Sequence, residues 1–412
     1  MNHLKVYKFS SLYRMSSGIS STPDQAGKGS PFLSFKTVFS DYFLPSELDD
    51  LMYTSEKEQE VYSIKEGDIF LTRTSESLNE LGMSSVAFKS YPKATYSGFL
   101  KRLRPIQKDL VYYKYIAFYL RSNLFRSSMN NNAIMTLRAS LNEQIFSYLN
   151  IVLPSFENQK AIGDLLFDIY LKIQTNSKIN DNLERMAKTL YDYWFVQFDF
   201  PDENGKPYKS SGGKMIWNEI LKREIPEGWE VKNLFQTTKV QYGFPFSTEY
   251  FNEDGKGYPV IRIRDILNNS NYNYSNQKNI DLKYLIEKGD ILVGMDGNFH
   301  INYWSKDNCY LNQRVVMIKE TFLPNIFTRY QIEPYIQLRE KSVSRTTVGH
   351  LSDKDLKAIN LLVPPNEILK NIKPLFDDIL KKHISNKIQN QQLSSLRDWL
   401  LPMLMNGQVK IE

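Results

Sequence analysis

The amino-acid sequence predicts an α/β (α+β) fold: two repeated globular domains separated by two long antiparallel coiled-coil helices, in a pseudo-two-fold arrangement. Three observations support this prediction. Four pairs of similar segments recur in the same order along the 412 residues. Each copy contains short apolar runs between turns, which is typical of strands. Each copy also ends in a long stretch with an apolar residue at every seventh position, which is typical of paired helices.

The internal repeat is the strongest of these observations. GKGSPFLSFKTVFS in the first copy corresponds to GKGYPVIRIRDILN in the second, and EGDIFLTRTSE corresponds to KGDILVGMDGN. The offset between paired segments falls from 228 (255 − 27) through 222 (288 − 66) to 210 (346 − 136), as insertions and deletions in loops would produce. A duplicated domain explains the ordered set better than four common turns. The paired segments begin at Gly27 and Gly255, Glu66 and Lys288, Thr136 and Thr346, and Phe167 and Asp377.

The repeat also predicts where the domains begin and end. A chain of this length exceeds what one hydrophobic core usually serves. We expect globular domains at residues 1–153 and 225–363, spacer helices at 154–200 and 364–412, and a linker at 201–224. Within the domains, the alternating run from Val260 to Arg264 and the apolar run from Asp290 to Val293 predict strands.

The two helical segments share one register. Both segments carry an Asn at the same position of the repeat, Asn176 and Asn386. A buried Asn at such a position typically fixes helix register and partner, so we predict that the helices pair with each other. Packing of each helix on its own domain is the alternative. The predicted pairing residues form a first ladder, a set of positions (rungs) spaced seven residues apart. They are Ile162, Ile169, Asn176, Leu183 and Leu190 and, 210 residues later, Ile372, Ile379, Asn386, Leu393 and Leu400. A second ladder comprises Leu165, Lys172, Ile179, Met186 and Tyr193, with Leu375, Lys382, Gln389, Leu396 and Met403.

An antiparallel arrangement gives the matched asparagines a specific role. The central rung of one helix then faces the central rung of the other, so we hypothesise a hydrogen bond between Asn176 and Asn386. A helix of about 40 residues spans on the order of 60 Å. The pair would therefore act as a spacer that holds two domains at a fixed distance.

Catalytic and metal-binding motifs are not recognisable in the sequence. The Gly-Lys pairs lack the phosphate-loop context, and the four histidines are scattered. Cys309 is the single cysteine, which suits a reducing compartment. We therefore expect a non-catalytic cytoplasmic protein that binds no metal or cofactor itself and has no signal peptide or membrane span.

Charge favours a polyanionic partner without requiring one. The net charge is +6, and the 50 residues from Lys89 to Arg138 hold 10 basic residues and 1 acidic residue among many aromatic residues. Lys and Arg among aromatic side chains suit nucleic-acid contacts. A solvated basic face explains this segment equally well. The preceding segment, from Asp41 to Glu80, is acidic, with 11 acidic and 3 basic residues.

Several segments resemble the DNA-specificity subunits of type I restriction-modification systems. They include LPSFENQKAIGDLLFDI, INDNLERMAKTLYDYWFVQFDFP, IPEGWEVKNL, KGDILVGMDGNFHINYWSKDNCYLNQRVVMI, TTVGHLSDKDL and LRDWLLPMLMNGQV. Together with the repeat, the resemblance covers essentially the whole chain. Residues 1–153 depart most from the family pattern, as expected where such proteins differ in the DNA sequence they recognise.

The resemblance implies a function. It implies two target-recognition domains, each reading one half of a split, asymmetric site in double-stranded DNA. It also implies that the helices dock two modification subunits, which methylate adenine using S-adenosylmethionine, and that restriction subunits using ATP and Mg join the assembly. A scaffold that reads no DNA, and an enzyme with hidden motifs, are the rival hypotheses.

Motif position, the repeat and the basic segment together give a set of candidate DNA-binding residues. A structural turn or a buried polar contact is the alternative explanation for each of them. The candidates are Lys36, Arg73, Thr74, Ser75, Arg102, Arg104, Arg262, Arg264, Asp296, Asn298, Asn312, Gln313, Arg314, Arg345, Thr346 and Thr347.

Overall fold

The computed structural model describes residues 4–75, 77, 80–132, 139–270, 273–342 and 349–409. The chain divides into two compact units. Unit 1 comprises Met1–Ile173 and Gln392–Glu412, and unit 2 comprises Gln174–Gln391. The final residues of the chain thus belong to the unit formed by the first copy of the repeat. Among the described residues, none of the helices combines the length and the apolarity that crossing a membrane requires.

Unit 1 is a mixture of short strands and helices followed by one long helix. Its strands are β1 (Lys5–Lys8), β2 (Tyr13–Ser17), β3 (Ala26–Leu33), β4 (Leu51–Met52), β5 (Ile69–Thr72), β6 (Thr74–Ser75), β7 (Ser84–Val86), β8 (Thr95–Tyr96), β9 (Leu100–Pro105), β10 (Ala139–Ser140) and β11 (Asn150–Leu153). Its helices are α1 (Phe9–Leu12), α2 (Phe35–Ser40), α3 (Glu56–Val61), α4 (Tyr113–Tyr119), α5 (Asn123–Asn132), α6 (Glu143–Tyr148) and the first half of α7 (Phe156–Tyr191).

Unit 2 has a similar composition and adds a hairpin at its start. Its strands are β12 (Met215–Asn218), β13 (Arg223–Pro226), β14 (Glu230–Asn233), β15 (Thr238–Tyr242), β16 (Phe251–Asn252), β17 (Tyr258–Ile261), β18 (Tyr274–Ser275), β19 (Leu285–Ile286), β20 (Ile291–Gly294), β21 (Ile301–Tyr303), β22 (Cys309–Leu311), β23 (Val315–Glu320) and β24 (Asn360–Val363). Its helices are α8 (Leu234–Thr237), α9 (Ile263–Ile266), α10 (Asn325–Ser342), α11 (Asp353–Lys357) and most of α12 (Asn366–Met405).

The two units share one sheet topology. The main sheet of unit 1 has the antiparallel order β2-β9-β5-β7, and that of unit 2 has the antiparallel order β15-β23-β20-β21. A parallel pair stands in a second sheet of each unit, β3 with β8 and β17 with β22. The first strand of each copy pairs with the last, β1 with β11 and β14 with β24. The predicted duplicated fold of mixed helix and strand is confirmed.

One predicted strand is wrong in its second half. β17 ends at Ile261, and residues Ile263–Ile266 form the helical turn α9. The Asp265 carboxylate accepts a hydrogen bond of 2.9 Å from the backbone N–H of Arg262, which caps the turn. Local capping therefore overrides the alternating pattern that predicted a strand. The second predicted strand is confirmed, since β20 covers Ile291–Gly294.

The core of unit 1 includes an end of each long helix. Phe43 packs edge-on against Phe167 of α7, with 4.8 Å between ring centroids, and Leu166 is fully buried in the same cluster. Leu404 and Met405, from the end of α12, are buried there too. Each fully buried side chain of this size contributes about 1.5–3 kcal/mol. The domain core therefore needs residues that lie more than 230 positions further along the chain (404 − 167 = 237).

The core of unit 2 repeats this arrangement with the other helix ends. Ala187 and Tyr191, at the end of α7, are buried together with Ile372 and Phe376, near the start of α12. A π-helical turn, Asp192–Val196, follows α7 and places the Phe195 ring 4.5 Å from that of Phe327. Each unit thus buries the beginning of one long helix and the end of the other.

Within unit 2 the long helices pair in an antiparallel manner through buried asparagines. Asn176, only 1% exposed, donates to Asn390 Oδ1 at 2.9 Å and to Gln389 Oε1 at 2.7 Å. Asn386 donates to Asn180 Oδ1 at 2.9 Å. The hypothesised Asn176–Asn386 hydrogen bond does not form, because each of these side chains meets an asparagine one helical turn away from the expected partner. The offset of 210 relates the two bonds (176 + 210 = 386; 390 − 210 = 180), so they are one interaction repeated.

The two heptad ladders lie in different environments. The described rungs of the first ladder are buried or half-buried. The second ladder instead exposes six of its seven apolar members, namely Leu165, Ile179, Met186, Tyr193, Leu375 and Leu396, and the seventh, Met403, is half-buried.

Replacement of Asn176 with Ala should destabilise unit 2. It removes two partly buried hydrogen bonds, to Gln389 Oε1 and Asn390 Oδ1, at a cost of about 0.5–1.5 kcal/mol each. Asn386→Ala, which removes the repeated interaction, should cost a similar amount. Urea unfolding monitored by circular dichroism would measure both. A change below about 0.5 kcal/mol, typical of surface substitutions, would contradict the role of the asparagines.

Candidate nucleic-acid interface

The same turn precedes the central strand β9 or β23 in each unit. In turn 1 (residues 97–100), Leu100 N donates to Ser97 O at 2.9 Å, and in turn 2 (residues 312–315), Val315 N donates to Asn312 O at 3.0 Å. A glycine backbone packs against each turn, because a Cβ on Gly18 would overlap Ser97 O and one on Gly243 would overlap Asn312 O. The two turns are therefore equivalent positions in the backbone fold that the two units share, which we call the frame.

A second segment meets each turn through an equivalent hydrogen bond. Arg73 N donates to Phe99 O at 2.9 Å in unit 1, and Met295 N donates to Arg314 O at 3.0 Å in unit 2. Phe99 and Arg314 therefore occupy the same place in the frame. The next residue in each segment pairs with a later one: Thr74 lies opposite Ser140, and Asp296 lies opposite His350.

In unit 2 these positions form a charged cluster. Asp296 Oδ1 lies 2.6 Å from His350 Nδ1, and Asp296 Oδ2 lies 3.2 Å from Arg314 Nε. The Arg314 side chain is 56% exposed. Asp296 therefore orients an arginine whose guanidinium is largely open to solvent. The candidates Asn298 and Gln313 are exposed beside this cluster in sequence, and Asn312 is half-buried.

In unit 1 the equivalent turn carries an aromatic ring, Phe99, in the place of Arg314, and its cations lie at neighbouring positions. Arg73 is exposed and its Nη1 donates to Gly98 O at 3.4 Å, while Lys101 Nζ donates to Ser17 Oγ at 2.8 Å. Partial burial, together with the nearby Arg73 charge, lowers the pKa of Lys101. Within the described residues, neither cation has a carboxylate oxygen within 4.0 Å. Thr74 and Ser75 are half-buried in β6.

Two of the predicted DNA-binding residues, Arg102 and Arg104, make contacts within unit 1. Arg102 is 8% exposed and donates to Ser63 O at 2.7 Å. Arg104 donates to both carboxylate oxygens of Asp68, at 2.8 and 2.6 Å, and these hydrogen bonds raise its pKa. Part of the basic segment therefore pairs with the acidic segment before it, and DNA contact by these two arginines stays a prediction.

Three further candidates, Lys36, Arg262 and Arg264, follow β3 or β17 in the chain. Lys36 and Arg264 are exposed. Ser34 and Arg262 take equivalent positions, since each immediately precedes a helix after β3 or β17. Nε and Nη2 of Arg262 have no hydrogen-bond acceptor among the described residues, and its Nε lies 3.7 Å from Asp265 Oδ2. The candidates Arg345, Thr346 and Thr347 lie outside the described residues.

Sequence reasoning missed three residues of these clusters, Phe99, Lys101 and His350. The alignment of TTVGHL with TLRASL places His350 opposite Ser140 and could have identified it. Phe99 and Lys101 lie in the basic, aromatic-rich segment from Lys89 to Arg138, but composition could not single them out from its other cations and rings. Within the described residues, no group of three or more His, Cys, Asp or Glu side chains is arranged to hold a metal ion.

Comparison with known proteins identifies the family. The model of the type I restriction modification DNA specificity domain matches twice, at residues 24–185 and 226–393. The chain belongs to this family. Each match covers most of one copy of the repeat together with much of its long helix, so the repeat consists of two copies of the family domain.

Individual relatives agree with this membership. The MjaIX type I restriction enzyme specificity subunit of Methanocaldococcus jannaschii is 26% identical over 340 residues, which cover 79% of this chain and 75% of the relative. The EcoBI specificity subunit of Escherichia coli is 32% identical over 42% of this chain and 36% of its own length. The crystal structure of a type I restriction-modification S subunit from M. genitalium has a similar fold, with a TM-score of 0.61, 14% identity, and coverage of 98% of this chain and 96% of that one.

The two classes of arginine should respond differently to truncation. Arg104→Ala removes the ion-pair partner of the buried Asp68 carboxylate, which among the described residues keeps only the Lys65 N–H as a donor at 2.8 Å, and should cost about 1–3 kcal/mol of stability. Arg314→Ala removes a largely exposed side chain and should change stability by less than about 0.5–1 kcal/mol. Chemical denaturation of the two variants would measure this contrast. Equal losses of stability would contradict the assignment of Arg104 to the interior and Arg314 to the surface.

Proposed function

We propose that the chain is the non-catalytic specificity subunit of a type I restriction-modification complex and reads a bipartite, asymmetric site in double-stranded DNA. The observation that supports this proposal is one frame that carries two sets of side chains. Phe99 in unit 1 has Arg314 as its equivalent in unit 2, and Thr74 has Asp296. Two domains built in this way would recognise different half-sites.

The chemistry of each set suits DNA. Arg is the side chain best suited to bidentate contact with guanine, and Asp296 would hold Arg314 by its Nε while the terminal nitrogens face a base. In unit 1, Arg73 and Lys101 lack carboxylate partners among the described residues and would contact phosphates. In the proposed interface Lys36, Arg262 and Arg264 add further positive charge.

The partner subunits form the second part of the proposal. We place the docking of two methyltransferase subunits on the exposed apolar side chains of the long helices, such as Ile179, Met186 and Leu375 in unit 2. Exposed apolar side chains of this kind are typical of protein interaction sites. S-adenosylmethionine, ATP and Mg would be bound by the modification and restriction subunits. A scaffold without DNA readout is the alternative function, and the exposed helix residues are the feature that it would explain.

Selection from a randomised duplex library by the full-length chain would test DNA reading. We expect a bipartite consensus and a steep loss of affinity with salt. Arg73→Ala should weaken binding through its half-site only, and Arg314→Ala should relax base preference in the other half-site only, at about 1–3 kcal/mol for a lost base contact.

Arg185→Ala is the matched control, because Arg185 is an exposed arginine on α7. It should leave the consensus unchanged. Binding without sequence preference, or equal relaxation of both half-sites by either variant, would reject the proposal of two separate readers. No salt-dependent binding at all would favour the scaffold.

A further inference from the structure

Turn 1 presents an aromatic ring to solvent. The Phe99 side chain is 66% exposed, although a phenyl ring gains free energy when it is buried. Its neighbours on either side differ in this respect, because Gly98 packs against the backbone and Leu100 is fully buried. The exposure of Phe99 is therefore specific to this position.

The backbone that carries Phe99 is held at four points. Gly98 N donates to Ile19 O at 2.7 Å, Phe99 N to Ser97 Oγ at 3.2 Å, and Leu100 N to Ser97 O at 2.9 Å, while Phe99 O accepts from Arg73 N. A Cβ on Gly98 would lie 2.9 Å from Ile19 O, so the approach of these backbones requires glycine. The ring is thus displayed from a fixed turn, as a group that must meet a ligand in one geometry would be.

The charges around the ring favour a polyanion. Arg73 contacts the turn through Gly98 O, and Lys101 follows two residues after Phe99 on β9. An apolar protein surface would be a poor partner for a ring surrounded by cations. DNA would be a better partner, because its phosphates flank the edges of the bases. Apolar side chains, including Phe, contact the 5-methyl group of thymine in the major groove.

The equivalent position in unit 2 supports the same reading. There the frame places Arg314, a side chain suited to guanine, on a turn that shares two of these hydrogen bonds, from Val315 N to Asn312 O and from Met295 N to Arg314 O. Building on the proposed function, we propose that Phe99 is a specificity-determining residue that packs on a thymine methyl group in the half-site of unit 1. One frame position then discriminates bases by apolar contact in one domain and by hydrogen bonding in the other.

Removal of the methyl group tests this proposal directly. The full-length chain is first used to select its consensus from a random duplex library. Each thymine of the consensus is then replaced in turn by deoxyuridine, which lacks only the 5-methyl group. We expect one replacement in one half-site to lower the affinity of the wild type by on the order of fivefold to tenfold.

Phe99→Ala should lower affinity by the same factor and should be insensitive to that one replacement. Tyr148→Ala, which removes an aromatic ring that is 63% exposed elsewhere in unit 1, should behave like the wild type. Thermal unfolding of Phe99→Ala should match the wild type, because the ring is mostly in water.

Two results would overturn the inference while leaving the proposed function standing. In the first, the wild type selects a consensus but Phe99→Ala binds that DNA with unchanged affinity. In the second, the affinity of Phe99→Ala still falls when the same thymine is replaced by deoxyuridine. Failure of the wild type to select any sequence would instead reject the proposed function.

Discussion

The burial of long-helix ends in the domain cores is the constraint on which the rest of the structure depends. Unit 1 closes its core with Leu166 from the start of α7 and Leu404 from the end of α12, and unit 2 closes its core with Tyr191 and Phe376 from the opposite ends. Unit 1 is therefore built from two separate stretches of chain, whereas unit 2 is one continuous stretch. The helices are therefore part of the cores as well as connections, and their register is fixed by apolar packing at the ends and by buried asparagines in the middle.

This construction separates what must stay constant from what can vary. The strand order of the main sheet, the glycines at residues 18 and 243, and two backbone hydrogen bonds at turns 1 and 2 are the same in both units. The side chains displayed by the turns differ, Phe99 in one and Arg314 in the other. Since these side chains are mostly exposed, they can change with little cost to folding. A duplicated frame of this kind is suited to recognition of two unlike half-sites.

The sequence predicted the features that recur, and it failed where contacts are not local. Periodicity identified both long helices and placed Asn176 and Asn386 in one register, but it could not show that their partners lie one turn away, because the stagger of two helices depends on packing. Composition identified a basic segment, but it could not show that Arg104 is bound to Asp68, since that pair joins residues 36 positions apart. Phe99 became a candidate only when backbone hydrogen bonds showed that it takes the place of Arg314.

Hydrogen–deuterium exchange of a Leu401→Ala/Leu404→Ala variant tests the central constraint most directly. Each truncation of a buried leucine typically costs about 2–5 kcal/mol, and both side chains are buried in the core of unit 1. We expect faster amide exchange in β2 and β9 of unit 1 and unchanged exchange in β15 and β23 of unit 2. The reverse pattern should follow Ile372→Ala/Phe376→Ala, whose side chains are buried in unit 2. Unchanged exchange in β2 and β9 of the first variant would contradict the claim that the end of α12 completes the core of unit 1.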